Sequence, residues 1–203
     1  MAYSGGMATS REEELKLLFT DARSHSAWLD KPIDDALLHK LYELTSAGPT
    51  SANTQPIRIV FVKSHEAKEK LRPALRPQNV EKTMTAPVAA ILAFDPKFFD
   101  KIPQLFPARP EYKDVFGGLP EPVRNSIGTQ SATLQAGYFI LAARALGLDC
   151  GPIAGYDGPT VDQAFFPDGA WKSILLVNLG YGDHSKLFPR NPRLSFEEAC
   201  RIE

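Results

Sequence analysis

Gly48-Pro49-Thr50-Ser51-Ala52-Asn53-Thr54-Gln55-Pro56, followed by Ile57-Arg58-Ile59-Val60-Phe61-Val62, is the stretch on which the reading of the fold turns. Ile57 to Val62 is short and rich in β-branched residues, which predicts a strand. Upstream, Asp34 can cap a helix that carries Leu37, Leu38, Leu41, Leu44 and Thr45 on one face and stops at Gly48. The connection between them is crowded with small hydroxyl and amide side chains, which offer many donors and acceptors at low entropic cost. Such a loop can wrap a flat molecule with polar edges. The same residues are also ordinary turn formers, and taken alone they say no more than that.

Working outward, Ser10 and Glu13 have the spacing of a capping box, and Leu15, Leu18, Phe19 and Ala22 follow at helical intervals. A first helix over 11–22 is predicted. Arg23-Ser24-His25-Ser26-Ala27-Trp28 then forms a polar second candidate loop. Ser64 caps a helix through Leu71 and Leu75, Asn79 to Met84 makes a turn or short helix, and Val88 to Phe94 is a second buried strand. Between Asp95 and Glu121, five prolines and Gly117-Gly118 forbid long elements, so a lid-like excursion with aromatic residues is expected. A long central helix runs from about Pro122 to Leu146 and ends at Gly147. Pro152-Ile153-Ala154-Gly155 is a third candidate loop, too rich in proline and glycine for a strand interior. Asp157 starts another helix, Ile174 to Gly180 is the last strong strand, and Arg190-Asn191-Pro192-Arg193 sets two arginines beside a turn before a terminal helix from Phe196. Paired arginines can fork onto a phosphate.

A chain of 203 residues with 43% hydrophobic content buries one sizeable core, so residues 11–203 read as a single domain behind a flexible leader, 1–10. A net charge of -1 and a pI near 6.4 give no reason to expect nucleic acid or an acidic membrane as a partner. Cys150 and Cys200 form no CxxC, and the histidines at 25, 39, 65 and 184 are dispersed, so neither a disulfide framework nor a metal site is expected. With no secretion signal and no apolar run of transmembrane length, a cytoplasmic protein is the expectation. The P-loop, G-x-G-x-x-G, G-x-S-x-G and H-E-x-x-H motifs are all missing. Whatever chemistry occurs must rest on something other than a side-chain nucleophile or a dinucleotide fingerprint.

The order of these loops resembles the nitroreductase family of FMN-dependent NAD(P)H oxidoreductases, over nearly the whole chain from Leu15 to Ile202. Arg23-Ser24 before Trp28 is similar to that family's N-terminal phosphate motif, and Pro49 to Pro56 to its loop contributed across a dimer. Pro152 to Gly155 looks like the flavin-edge loop and Arg190 to Arg193 like the C-terminal phosphate clamp, while Asn79 and Lys82 fall where polar contacts to the flavin ring lie. Phe19-Thr20-Asp21-Ala22-Arg23, Leu71-Arg72-Pro73-Ala74-Leu75, Arg144-Ala145-Leu146-Gly147-Leu148-Asp149 and Pro192-Arg193-Leu194-Ser195-Phe196-Glu197-Glu198-Ala199-Cys200 resemble the branch that reduces malonic semialdehyde in pyrimidine use. Two departures stand out: Ser26 where the family commonly has a basic residue, and Ala154 where the flavin-edge loop often has an acid.

The resemblance implies an α+β fold, with helices around a mixed central sheet and an intertwined homodimer holding FMN at its interface. It implies cofactor contacts from Arg23, Ser24, His25, Pro49, Thr50, Ser51, Asn53, Gln55, Asn79, Lys82, Pro152, Ile153, Ala154, Gly155, Arg190 and Arg193. In that reading Arg23, Arg190 and Arg193 neutralise the phosphate, backbone amides of 153–155 approach the ring, and Lys82 offsets the negative charge a reduced flavin gathers. NADH or NADPH would be co-substrate, and a small molecule such as malonic semialdehyde the acceptor. A general nitro or quinone reductase is the alternative within the enzyme class. A flavin store or sensor without turnover is the alternative outside it.

Overall fold

The computed structural model describes residues 10–203, so the expected leader lies outside the described residues except for Ser10. Helix α1 spans Arg11–Leu15 and opens on the expected capping box: Glu13 N–H donates to Ser10 Oγ at 3.3 Å, and Ser10 N–H to Glu13 Oε2 at 2.7 Å. The predicted helix does not continue regularly to residue 22. Over Lys16–Thr20 it widens into a π turn, with Asp21 N–H reaching back to Lys16 O at 2.9 Å. The carbonyls of Leu18 and Thr20 there accept from the side chains of Arg144 and Arg190. A wide turn thus trades backbone partners for guanidinium partners.

Four strands, β1 (Ile57–Val62), β2 (Val88–Phe94), β3 (Asp149–Ile153) and β4 (Lys172–Gly180), form one sheet in the order β1-β2-β4-β3. All three ladders are antiparallel. The mixed character expected of the sheet reduces to one parallel bridge, Ser24 to Cys150, because the Arg23 loop crosses the β3 edge too briefly to make a ladder. A second correction concerns Pro152, which lies within β3. This strand is at the sheet's edge, where a residue without an N–H costs no ladder bond.

Both faces of the sheet are covered, which is why β2 is buried at every position. Val88, Ala90 and Leu92 face a core with Leu41, Phe139 and Val177, under α2 (Asp35–Ser46) and α7 (Glu121–Ala145). Ala89, Ile91 and Ala93 face the other way, toward Leu71, Ile153 and Val161, under α3 (His65–Leu71), α4 (Pro77–Met84) and α8 (Gly158–Phe165). The period-2 alternation of one strand therefore feeds two cores. Helix α7 ends as predicted. Gly147 takes φ +76°, its N–H donates to Arg144 O and Leu148 N–H donates to Ala143 O, a Schellman closure that turns the chain straight into β3.

The 95–121 excursion contains a 3-10 turn at Phe98–Lys101 and two short helices, α5 (Ile102–Leu105) and α6 (Tyr112–Gly117). Its aromatics pack on one another: Phe98 is fully buried and meets Phe99 and Phe116 edge-on, while Tyr112 meets Phe106 and Phe116. Gly128 on α7 makes room for this, since a Cβ there would lie 3.0 Å from the Phe98 ring. The chain closes with α9 (Phe196–Ala199), capped by Ser195 and Glu198. Among the described residues, no helix is long and apolar enough to cross a membrane.

Candidate functional site

The β3 edge gathers most of the residues singled out in the sequence. His25 N–H donates to Cys150 O at 2.9 Å, which lays Arg23 and Ser24 along the strand. Gly151 is what allows this approach, for a Cβ there would sit 2.4 Å from the His25 carbonyl oxygen. On the other side, the Trp28 indole donates to Lys82 O at 2.8 Å and Asn178 Nδ2 donates to the same oxygen at 3.1 Å. These two bonds fix the C-terminal turn of α4 against the loop and against β4. The buried Asn79, on α4, donates from its side chain to Gly155 O at 2.7 Å. Pro152 and Ala154 point outward while Ile153 is buried in the core, so the loop shows its backbone and its small side chains to the surface. The Lys82 ammonium has no hydrogen bond or ion pair among the described residues.

Beside this edge lies a cavity of about 720 Å³ lined by Arg23, Ser24, Arg144, Arg190 and Arg193, with Thr20, Phe188 and Asn191. Each guanidinium is held by backbone carbonyls. Arg23 donates to Phe188 O, Arg144 to Leu18 O at 2.8 Å, Arg190 to Thr20 O at 2.6 Å and Ala22 O at 2.9 Å, and Arg193 to Asn191 O and Pro192 O at 3.0 Å. None of these four arginines forms an ion pair with a carboxylate among the described residues. Carbonyls orient a guanidinium without cancelling its charge, so the cavity has the charge and the donors to accept an anion. Arg144 was missed in the sequence, where it reads as a helix-end cation favoured by the macrodipole. Its Nε is buried and has no hydrogen-bond partner among the described residues.

His25 is brought to the same place, but its ring is turned inward. It is 3% exposed, and a Cβ on Gly182 would collide with it. The ring faces Gly182 and Asp149, so along the β3 strand the residue presents its backbone. Burial lowers the proton affinity of this ring below its ordinary value, partly offset by the nearby Asp149 carboxylate.

The opening loop is not part of this gathering. It sits next to β1, the edge opposite β3, where Ala52 and Asn53 in a short 3-10 turn at Ser51–Asn53, and Gln55 just after it, take positive φ of 47°, 52° and 45°. Three left-handed non-glycine residues so close together cost about 1–3 kcal/mol each. The loop is locked by Gln135, whose Nε2 donates to Gln55 Oε1 at 2.6 Å and whose Oε1 accepts from Ile57 N–H at 3.1 Å. Tyr138 Oη donates to Pro49 O at 3.1 Å, and Asn53 Nδ2 to Leu105 O at 2.7 Å. Pro49, Thr50, Ser51, Asn53 and Gln55 therefore form a separate, rigid, strained surface within one chain, bordering a second cavity of about 1040 Å³ along β1.

The chain matches known proteins along nearly its whole length. A family model described as the nitroreductase family matches residues 20–181. A Rhodopseudomonas palustris protein named "Putative NADH dehydrogenase/NAD(P)H nitroreductase" is 51% identical over 195 residues, covering 96% of this chain and 98% of its own. A protein of the same name from Stutzerimonas stutzeri is 52% identical over 186 residues, covering 92% and 94%. Among solved structures, one from Exiguobacterium sibiricum, described as a "putative nitroreductase in complex with FMN", superposes with a TM-score of 0.84 at 20% identity, covering 98% of this chain and all of that one. A Streptococcus pneumoniae nitroreductase family protein gives 0.81 at 22% identity, covering 96% and 100%.

Proposed function

This chain belongs to the nitroreductase family, and from that premise we propose that it is an FMN-dependent NAD(P)H oxidoreductase whose cofactor lies along the β3 edge with its phosphate among Arg23, Arg144, Arg190 and Arg193. The observation that carries this reading is the cavity of four arginines without a carboxylate partner, beside the Asn79–Gly155 tie. The residues present fit the group. A phosphate dianion satisfies the cavity's uncompensated charge, while the backbone at the outward-facing Pro152 and Ala154, together with the Lys82 ammonium, is assigned to a flat polar ring. When bound, FMN supplies hydride transfer between NAD(P)H and an acceptor. The chain's own residues bind and orient. The arginines anchor, Asn79 fixes the carbonyl of Gly155 so that the neighbouring amides keep their direction, and Lys82 places a positive charge where negative charge develops.

The acceptor is a small electrophile, and a nitroaromatic or quinone is the broad reading, in line with the relatives' names. The local motifs add the finer proposal of malonic semialdehyde, reduced to 3-hydroxypropanoate. The loop at 49–55, away from its own β3 edge, supports a homodimer in which it completes the partner's site. The test has two parts. Protein purified with flavin should be yellow and release FMN on denaturation; a colourless protein that fails to take up added FMN refutes the site. Initial rates with NADH and NADPH against malonic semialdehyde, a quinone and a nitroaromatic then name the acceptor. Bound FMN with negligible turnover on all three would instead mark a flavin store.

A further inference from the structure

Two of the four dispersed histidines meet in the fold. His25, Asp149 and His184 each bring one possible donor atom into a cluster, the three atoms lying within 4.8 Å of one another. His25 forms the floor, 3% exposed, with neither ring nitrogen hydrogen-bonded. Its Nε2 lies 3.4 Å from Asp149 Oδ1. Asp149 forms the wall, and its other oxygen accepts from Gly182 N–H at 2.8 Å, which fixes the carboxylate's orientation. The exposed His184 stands at the mouth with its ring edge-on to His25, centroids 4.9 Å apart.

We infer that His25, Asp149 and His184 form a surface site for a borderline divalent transition ion, zinc in type, with one position left to water. A carboxylate and two imidazoles suit such an ion, and at bond lengths of about 2.1 Å neighbouring donors stand about 3.4 Å apart. The His25–Asp149 pair already has that spacing. Only His184 has to shift, by about 1 Å, and it is an exposed side chain free to rotate. Neither nitrogen of the buried His25 ring is engaged by a hydrogen bond among the described residues, and the Asp149–Gly182 bond supplies the outer contact that ligands need. The charges around the ring are balanced: Asp149 and Asp183 favour a cation there, while Arg23 and His184 oppose it. The ion would staple three segments that border the arginine cavity, namely the Arg23 loop, the start of β3 and the turn leading to Phe188 and Arg190.

Cobalt(II) is the probe, because its d–d absorption reports tetrahedral imidazole and carboxylate ligation apart from the flavin bands. FMN-loaded full-length protein, stripped with EDTA and freed of chelator, is titrated with cobalt and then with zinc. Expected is a one-to-one spectrum that zinc displaces and that His184→Ala, a surface change, weakens by more than the roughly ten-fold loss an outer-shell substitution brings. Asp149→Asn should do the same. No d–d bands in the native protein, undiminished bands in His184→Ala, or bands that vanish only in Cys200→Ser would each overturn the site. Since the readout is the metal's own spectrum, it stands or falls separately from the acceptor assignment.

Discussion

The side-chain amide of Asn79 donates to the carbonyl oxygen of Gly155 at 2.7 Å and so binds the first turn of α4 to the loop after β3. Sequence distance hides this pair, yet it sets where the exposed backbone of that loop points. Gly155 has little room: a Cβ would lie 3.0 Å from Asn79 Nδ2 and 3.3 Å from Arg76 Cδ. Asn79→Leu keeps the branching and the heavy-atom count and removes the donor. It should destabilise the fold by about 1 kcal/mol, since the partly exposed carbonyl can turn to water, and lower turnover more than that. Urea unfolding measured beside steady-state rates checks it; an unchanged rate would mean that the loop's direction does not matter.

Arg144 separates an anion receptor from a set of surface charges. If its guanidinium contributes charge to the phosphate cavity it lines, Arg144→Met, which keeps the stem and its packing, should weaken FMN by about ten-fold or more and leave riboflavin binding nearly unchanged. Fluorescence titration with both flavins reads the difference. Equal losses for the two would show that the substitution disturbs the α7 terminus and not a phosphate contact.

Much of this was legible beforehand, and the reasons differ by element. Caps at Ser10, Asp34, Ser64 and Asp157 are local hydrogen bonds, written within three or four residues, and each is in place. The buried strands announced themselves by composition. What failed depended on neighbours: Pro152 fits a strand because β3 is an edge, and the π turn at Lys16–Thr20 exists because Arg144 and Arg190 supply partners from 126 and 170 residues away. Arg144 was invisible as a site residue for the same reason, and so was the meeting of His25 with His184. No spacing rule encodes a contact made by tertiary packing.

Gln135 is the hidden support of the strained loop. It is fully buried, and its amide satisfies both Gln55 Oε1 and Ile57 N–H. Gln135→Leu leaves the buried Ile57 N–H without a partner, at a cost of about 1–3 kcal/mol. If the loop completes a partner's flavin site, the same variant should also release FMN faster and shift the dimer toward monomer. Sedimentation of the flavin-loaded native protein is the control, and a flavin-loaded monomer at micromolar concentration would refute the shared site.

The two thiols should behave oppositely. Burial pushes Cys150 up to about 12, whereas Cys200 is exposed. A raised folded value means stability that is fully present below the ordinary thiol range near 9.0 and is lost as pH rises from there toward 12. At neutral pH a thiol reagent should therefore label Cys200 in the native protein and reach Cys150 only after unfolding. Mass spectrometry of labelled peptides decides this; rapid native labelling of Cys150 would show that β3 opens readily.

Lys82 carries the last prediction. Its backbone carbonyl is pinned by Trp28 and Asn178, which fixes where the side chain starts, and its ammonium has no hydrogen-bond or ion-pair partner among the described residues. A phosphate is anionic in both redox states of the cofactor, but the ring gains negative charge only on reduction. A positive charge near the ring therefore favours the reduced state, whereas one near the phosphate favours binding in either state. Lys82→Met should lower the flavin's midpoint potential and slow its reduction by NAD(P)H with little loss of FMN affinity; Arg193→Ala should weaken affinity and leave the potential nearly fixed. Measured side by side, an unmoved potential in Lys82→Met would remove Lys82 from the ring, and an unmoved dissociation constant in Arg193→Ala would remove Arg193 from the phosphate.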